Sequence, residues 1–205
     1  LVGEDGATHH GVFDLAYLRC IPNMIVYAPC NEIALQNILY TAQLGLDHPI
    51  AIRYPRGRGV IADWQTQHLG TYKKIEIGKS ACIKEGSKVA VLSNGTIGNN
   101  VTLAIAKIKH PETIAHYDFP FVKPLDENAL LTIFTEFATI ISIEDGAVKG
   151  GFGSAILEFA SEHNYTSKIT TLGIPDAFIE HGTVAELQQY CKIDVKSLEI
   201  LFSSY

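Results

Sequence analysis

The sequence has little of what would announce several kinds of chemistry. It holds one methionine, one tryptophan and four cysteines in 205 residues. Cys20, Cys30, Cys82 and Cys191 form no C-x-x-C pair, and their spacing suits neither a zinc site nor a disulfide scaffold. They read as reduced small hydrophobes of a cytoplasmic protein. The eight histidines are scattered, with only His9 and His10 adjacent. H-E-x-x-H and Cys/His clusters are absent, so no metal site built by this chain is expected. No apolar run approaches the roughly 18 residues of a membrane span, which excludes a membrane partner of that kind. Positive charge is also in short supply. Sixteen Lys and Arg stand against 22 Asp and Glu, for a net charge of −6. That balance argues against a nucleic-acid binder or a protein of acidic membrane surfaces. A starting methionine is lacking too: residue 1 is Leu, and Met24 lies inside an apolar segment. The first residues, Leu-Val-Gly-Glu-Asp-Gly, are no signal peptide. The chain is therefore expected to be a piece that has lost its natural start.

What is present is globular. Hydrophobic residues make up 47% and charged residues 19%, ample for a packed core. The length corresponds to roughly one to two domains. A short helical pattern runs from Val12 to Arg19, and Pro22 stops it. Met24–Tyr27 reads as a buried strand. Asn31 caps an expected helix through Leu44, with Leu35, Ile38, Leu39 and Ala42 on its apolar face. Pro49–Tyr54 reads as the next strand, completing a strand–helix–strand unit of a parallel sheet. Residues 57–87 are mixed, with Gly59, Gly70, Gly78, Gly86 and Trp64 among them, and read as a linker followed by a short β segment around 73–84. A regular alternation follows. Strands are expected at Val89–Leu92, Ile114–Tyr117, Thr139–Ile143 and Ile169–Leu172. Helices are expected at Ile97–Ile108, Asp126–Phe137 and Gly153–His163, and after the capping box Thr183-Val-Ala-Glu186. This pattern predicts a doubly wound α/β domain.

In such sheets ligands bind beyond the carboxyl ends of the strands, and two places stand out. The first joins Gly3–Gly11, with Asp5 and His9 expected at the mouth of a helix, to Arg53-Tyr-Pro-Arg-Gly57. His9 can exchange protons near neutral pH, and Arg56 can grip a phosphate with its fork. A plain glycine-rich turn with surface ion pairs is the alternative. The second is Ile143–Ala155, whose Gly151-Phe-Gly153 superficially matches a dinucleotide fingerprint, with Asp176 at about the distance of a ribose partner. Six residues separate the strand from the glycine run that begins at Gly150, so nucleotide binding, a tight turn and an interface all stay open.

Five stretches taken together carry a resemblance. They are Gly3–Gly11, Phe13–Pro22, Ala51–Gly57, Phe121–Asp126 and Gly173–Gly182. In this order they resemble the 1-deoxy-D-xylulose-5-phosphate synthases, transketolase-like thiamine-diphosphate enzymes, over essentially the whole chain. The resemblance implies the later part of a pyrimidine-binding domain at 1–60, a linker at 61–79, and a transketolase C-terminal-like domain with a mainly parallel sheet at 80–205. It implies condensation of pyruvate with D-glyceraldehyde 3-phosphate, releasing CO2, by a cytoplasmic homodimer. Asp5 and His9 take the place of the family's active-site pair. Arg56 takes the place of the phosphate-binding arginine, and Arg53 is a second candidate for that role. Thiamine diphosphate and Mg2+ are implied for the full-length parent. None is expected on this piece, because the anchoring residues of the family lie upstream of Leu1. The piece alone is expected to be inactive. Another transketolase-like enzyme, or a non-catalytic dimerisation module, are the competing readings.

Overall fold

The computed structural model describes residues 1–61 and 70–205. Much of the expected linker, including Trp64, lies outside those residues. The first region contains α1 (Asp14–Arg19), β1 (Ile25–Tyr27), α2 (Glu32–Gln43) and β2 (Ile50–Ile52). β1 and β2 are parallel, as the strand–helix–strand reading predicts. Asn31 is the cap of α2, its Oδ1 accepting from Ala34 N at 2.9 Å. The buried face of α2 differs from the expected one, however. Ile38 and Thr41 are buried, whereas Leu39 is 47% exposed. Thr41 takes the inner position because its hydroxyl has two partners. It donates to Asn37 O at 2.7 Å and accepts from Ile75 N at 2.8 Å.

The second region contains β3 (Ala81–Lys84), β4 (Val89–Asn94), α3 (Gly98–Ile105), β5 (Ile114–Asp118), β6 (Phe121–Lys123), α4 (Glu127–Glu136), β7 (Thr139–Ala147), α5 (Phe152–Glu162), β8 (Lys168–Ile174), α6 (Val184–Tyr190) and α7 (Val195–Phe202). Its sheet has the order β3-β5-β4-β7-β8. β5, β4, β7 and β8 run parallel and β3 is antiparallel at the edge. Both faces are covered. Val89 and Val91 of β4 join one cluster with residues of α3 and α7, while Ala90 and Leu92 join another with residues of α4 and α5. Side chains alternate across a strand, so a continuous apolar run is what a doubly covered sheet requires. The observed architecture is the expected doubly wound α/β fold.

Three elements depart from the sequence reading. A 3-10 turn, Gly95–Ile97, precedes α3, and that helix ends at Ile105, short of the expected Ile108, which stays buried. α7 completes the cover of one sheet face through Leu198 and Phe202. The third departure is β6, which pairs antiparallel with β1 rather than with its own sheet. The first sheet is therefore β2-β1-β6, with one strand lent by the second region.

Candidate functional site

The segment Gly3–Gly11 is a run of turns. Gly6 N donates to Gly3 O at 3.1 Å and His9 N donates to Gly6 O at 3.0 Å. Gly3 and Gly6 have φ of 97° and 73°, which only glycine adopts without strain. A Cβ at Gly3 would also stand 3.3 Å from the carbonyl of Gly182. The turns thus lie against the Glu180–Val184 stretch of the second region. His10 is buried there. Its Nδ1 accepts from Val2 N at 3.0 Å and its Nε2 stands 3.5 Å from Glu180 O.

Asp5 and His9 therefore do not sit at the mouth of a helix, contrary to expectation. α1 begins only at Asp14, and its N-cap Phe13 offers no side-chain acceptor. The glycine turns place the two residues upstream of the helix. Thr8 Oγ1 stands 3.0 Å from His9 Nδ1.

Of the four expected site residues, the fold brings two into contact. Arg56 forms an ion pair with Asp5, the side chains being 58% and 41% exposed. Arg56 lines two adjoining clefts. One, of about 360 Å³, is bordered by Glu32, Tyr54, Arg58, Asn99 and Asp145. The other, of about 270 Å³, is bordered by Gly3, Glu4, Thr183 and Val184. The larger cleft also reaches Thr96, beyond the carboxyl end of β4, where ligands of open α/β sheets bind. Glu32 supports its rim by accepting from Ile61 N at 3.2 Å.

Arg53 faces the other way. Its Nε stands 3.0 Å from Asp14 Oδ1 and 3.2 Å from Oδ2. Its Nη2 donates to the backbone carbonyl of Asp145 and, at 3.4 Å, to that of Gly11. Asp145 Oδ2 is 3.9 Å from the same Nη2. Only 17% of the Arg53 side chain is exposed.

The second glycine-rich segment already has an anion of its own. Glu144, buried within β7, places its two carboxylate oxygens 2.9 Å from Phe152 N and 2.8 Å from Gly153 N. These amides open α5, where the peptide dipoles favour negative charge. A Cβ at Gly151 would fall 2.2 Å from Glu144 Oε2, and one at Gly146 would fall 2.9 Å from it. The glycines make room for a side-chain carboxylate. Asp176 stands exposed. Burial pushes the Glu144 carboxyl up to about 7, against the pull of the two amide donors and of Arg53 and Arg19.

Other buried titratable groups stand in the framework. Burial drives His116 down to about 4, between Ser93 Oγ at 2.8 Å and Thr102 Oγ1 at 3.3 Å. Burial, reinforced by Asp118, pushes the Cys30 thiol up to about 12. Asp118 itself is raised to about 6 by burial. A thiol held so high is a poor nucleophile, and Cys30 fits the reading of a small hydrophobe, whereas Cys20 and Cys82 are exposed and do not.

Among the described residues no group of three His, Cys, Asp or Glu side chains is placed to hold a metal ion. No step below runs through the implied Mg2+. No helix among the described residues is long and apolar enough to cross a membrane.

Comparison with known proteins settles the family. Residues 1–59 match the pyrimidine binding domain of transketolase, and residues 78–198 match the transketolase C-terminal domain. The chain belongs to the transketolase family. Within that family it is similar to the 1-deoxy-D-xylulose-5-phosphate synthase of Parabacteroides distasonis, with 50% identity over 199 residues. That match covers 97% of this chain and 31% of the relative. The synthase of Vibrio vulnificus is 40% identical over 207 residues, covering 100% of this chain and 32% of the relative. The chain thus spans about a third of the length of these transketolase-family relatives. Among solved structures, a split-gene transketolase described as an inactive β4 tetramer shares the fold with a TM-score of 0.82. Its identity is 24%, over 97% of this chain and 63% of that one.

Sequence reasoning did not single out Glu144, Asp145, Asp14 or His10. Asp145 and Asp14 carry a signal only in retrospect, as acids close to glycine-rich turns. The inward course of Arg53 has no sequence signal at all, because it depends on the carbonyl of Asp145, 92 residues further along the chain.

Proposed function

We propose that this chain is part of a 1-deoxy-D-xylulose-5-phosphate synthase, which joins pyruvate to D-glyceraldehyde 3-phosphate with loss of CO2. The observation that carries the reading is the Arg56–Asp5 pair beside two open clefts, in a chain half identical to named synthases. Arg56 is exposed, permanently charged and paired with one carboxylate. A phosphate dianion meets it as a stronger partner than Asp5 does. In this reading Arg56 binds the phosphate of the triose, and Asp5 is released toward the reacting carbons. His9 moves protons at its ring nitrogens, with Thr8 orienting the ring. Positioning and charge neutralisation are what these residues contribute.

Thiamine diphosphate, when bound, supplies the ring that stabilises the carbanion. We assign its anchors and its Mg2+ to the full-length protein, a cytoplasmic homodimer in this reading, and we expect the 205-residue chain alone to be inactive. Calorimetry with thiamine diphosphate and Mg2+ checks that last point, and micromolar binding by the chain alone would refute it.

The deciding assay is CO2 release by the full-length protein from pyruvate and glyceraldehyde 3-phosphate. Turnover of a ketose donor, with none of pyruvate, would reassign the protein to transketolase proper. In the same assay Arg56→Ala is expected to raise the KM for glyceraldehyde 3-phosphate about tenfold while leaving that for pyruvate unchanged. The reverse pattern would remove Arg56 from the phosphate.

A further inference from the structure

We infer that Arg53, Asp14 and Asp145 form a positioning junction through which the C-terminal domain holds the segment carrying Asp5 and His9. The inference rests on the functional reading above and adds residues to it. A guanidinium that binds substrate must direct its fork at the substrate. The fork of Arg53 is directed at this protein's own chain. Nε meets the Asp14 carboxylate, and Nη2 meets the carbonyls of Asp145 and Gly11. Its charge is matched by Asp14; the Asp145 carboxylate stands 3.9 Å away and is held more closely, at 2.7 Å, by the ammonium of Leu1, so Asp145 meets Arg53 chiefly through its carbonyl. The three side chains are 17%, 18% and 13% exposed. At such a depth a broken pair leaves a charge poorly hydrated, so the arrangement is held firmly once formed.

Three parts of the chain meet at this point. Gly11 and Asp14 flank Val12, whose carbonyl accepts from Ala147 N at 2.7 Å. The stretch 11–14 is therefore joined to the end of β7 by a backbone bond on one side and by Arg53 on the other. The segment Gly3–Gly11 runs directly into that stretch, so the junction fixes its downstream end. Arg53 also lies three residues before Arg56, and the same bonds fix the exit of β2 toward Arg56. One residue of the C-terminal domain, Asp145, thus bears on the spacing between the Asp5–His9 segment and the phosphate grip. Arg53 is accordingly a positioning residue, and the triose phosphate is left to Arg56.

The test uses the full-length protein with Asp145→Asn, Arg53→Lys and, as comparator, Arg56→Ala. Asp145→Asn retains the backbone carbonyl while removing the charge and turning one carboxylate oxygen into an NH2 donor. It is expected to lower kcat about tenfold while the KM for glyceraldehyde 3-phosphate stays within about twofold. Arg56→Ala is expected to do the opposite. Amide hydrogen exchange without substrate supplies the second readout. In Asp145→Asn the amides of residues 5–11 should exchange about tenfold faster, with those of Val89–Asn94 unchanged. Unchanged exchange in residues 5–11 overturns the junction. So does an Arg53→Lys protein whose only defect is a raised KM for the triose phosphate, since that is the signature of a phosphate ligand. If Asp145→Asn fails to fold, the same exchange measurement on Arg53→Lys decides. If the unmutated protein releases no CO2 from the two substrates, the functional reading fails while the exchange result still judges the junction.

Discussion

The segment Gly3–Gly11 and the segment Gly146–Gly153 are both glycine-rich, and each follows a chemistry the other lacks. In the first, the glycines turn the backbone outward, and Asp5 is left 41% exposed beside Arg56. In the second, they clear a space for the chain's own Glu144, 1% exposed and bonded to two amides of α5. In the second segment a helix N-terminus attracts the anion. In the second segment the anion is built in, and the site is closed. In the first segment no helix is used, and the charges remain available. Glycine content alone therefore says that backbones come close, while the position of the nearest carboxylate says whether anything else can enter.

That contrast can be broken by substitution, starting with the largest effect. Gly151→Ala places a methyl 2.2 Å from Glu144 Oε2 and 2.4 Å from Ala147 O, and the latter is backbone that cannot step aside. A loss of about 3 kcal/mol in unfolding free energy is expected, read by urea denaturation. Glu144→Gln leaves one of the two amides without an acceptor and should cost about 2 kcal/mol near pH 5.

The pH dependence sharpens the same point. Unfolded, Glu144 ionises near its ordinary 4.5, and folded it does so near 7. Between those values the folded chain holds the additional proton. The stability this group contributes is thus fully present below about 4.5 and is lost as pH rises through 7. Denaturation at pH 5 and pH 8 should show the unmutated chain losing more stability across that interval than Glu144→Gln does. Equal losses would mean that the two amide donors hold Glu144 ionised throughout.

Thr183→Ala tests the floor under the open segment. Thr183 closes a capping box with Glu186 at the start of α6, next to the Gly182 carbonyl that meets Gly3. Its removal should cost about 1 kcal/mol. The smallest effect belongs to Arg56→Ala, which should change stability by no more than about 0.5 kcal/mol, because an exposed ion pair contributes little. A large loss there would mean that Arg56 is part of the framework and that the two segments are more alike than described.

Much of this was legible in the residues. The alternation of Val89–Leu92, Ile114–Tyr117 and Thr139–Ile143 with helical stretches marked a parallel sheet, since a strand covered on both faces must be apolar throughout. Asn31 and Thr183 announced their helices by side-chain chemistry that acts within three residues. What stayed hidden depends on distant partners. Leu39 is exposed because Thr41 meets Ile75. Phe121–Lys123 is a strand because β1 lies beside it, and three residues carry no periodicity of their own. In the site, Asp5, His9 and Arg56 were found as residue types in ordered motifs. The orientations of Arg56 outward and Arg53 inward came only with the tertiary structure.

The strand Phe121–Lys123 has a consequence for how the molecule assembles in time. Its pairing with β1 closes a loop of about a hundred residues, a contact whose entropic cost must be met before it rewards the chain. The small sheet cannot be completed until the chain beyond Asp118 has been made and has begun to order. A nascent chain that ends near residue 80 holds β1 and β2 without β6, and the flank of β1 that β6 will cover is then open to mispairing. Completion of the small sheet therefore waits on the region that follows it in the chain.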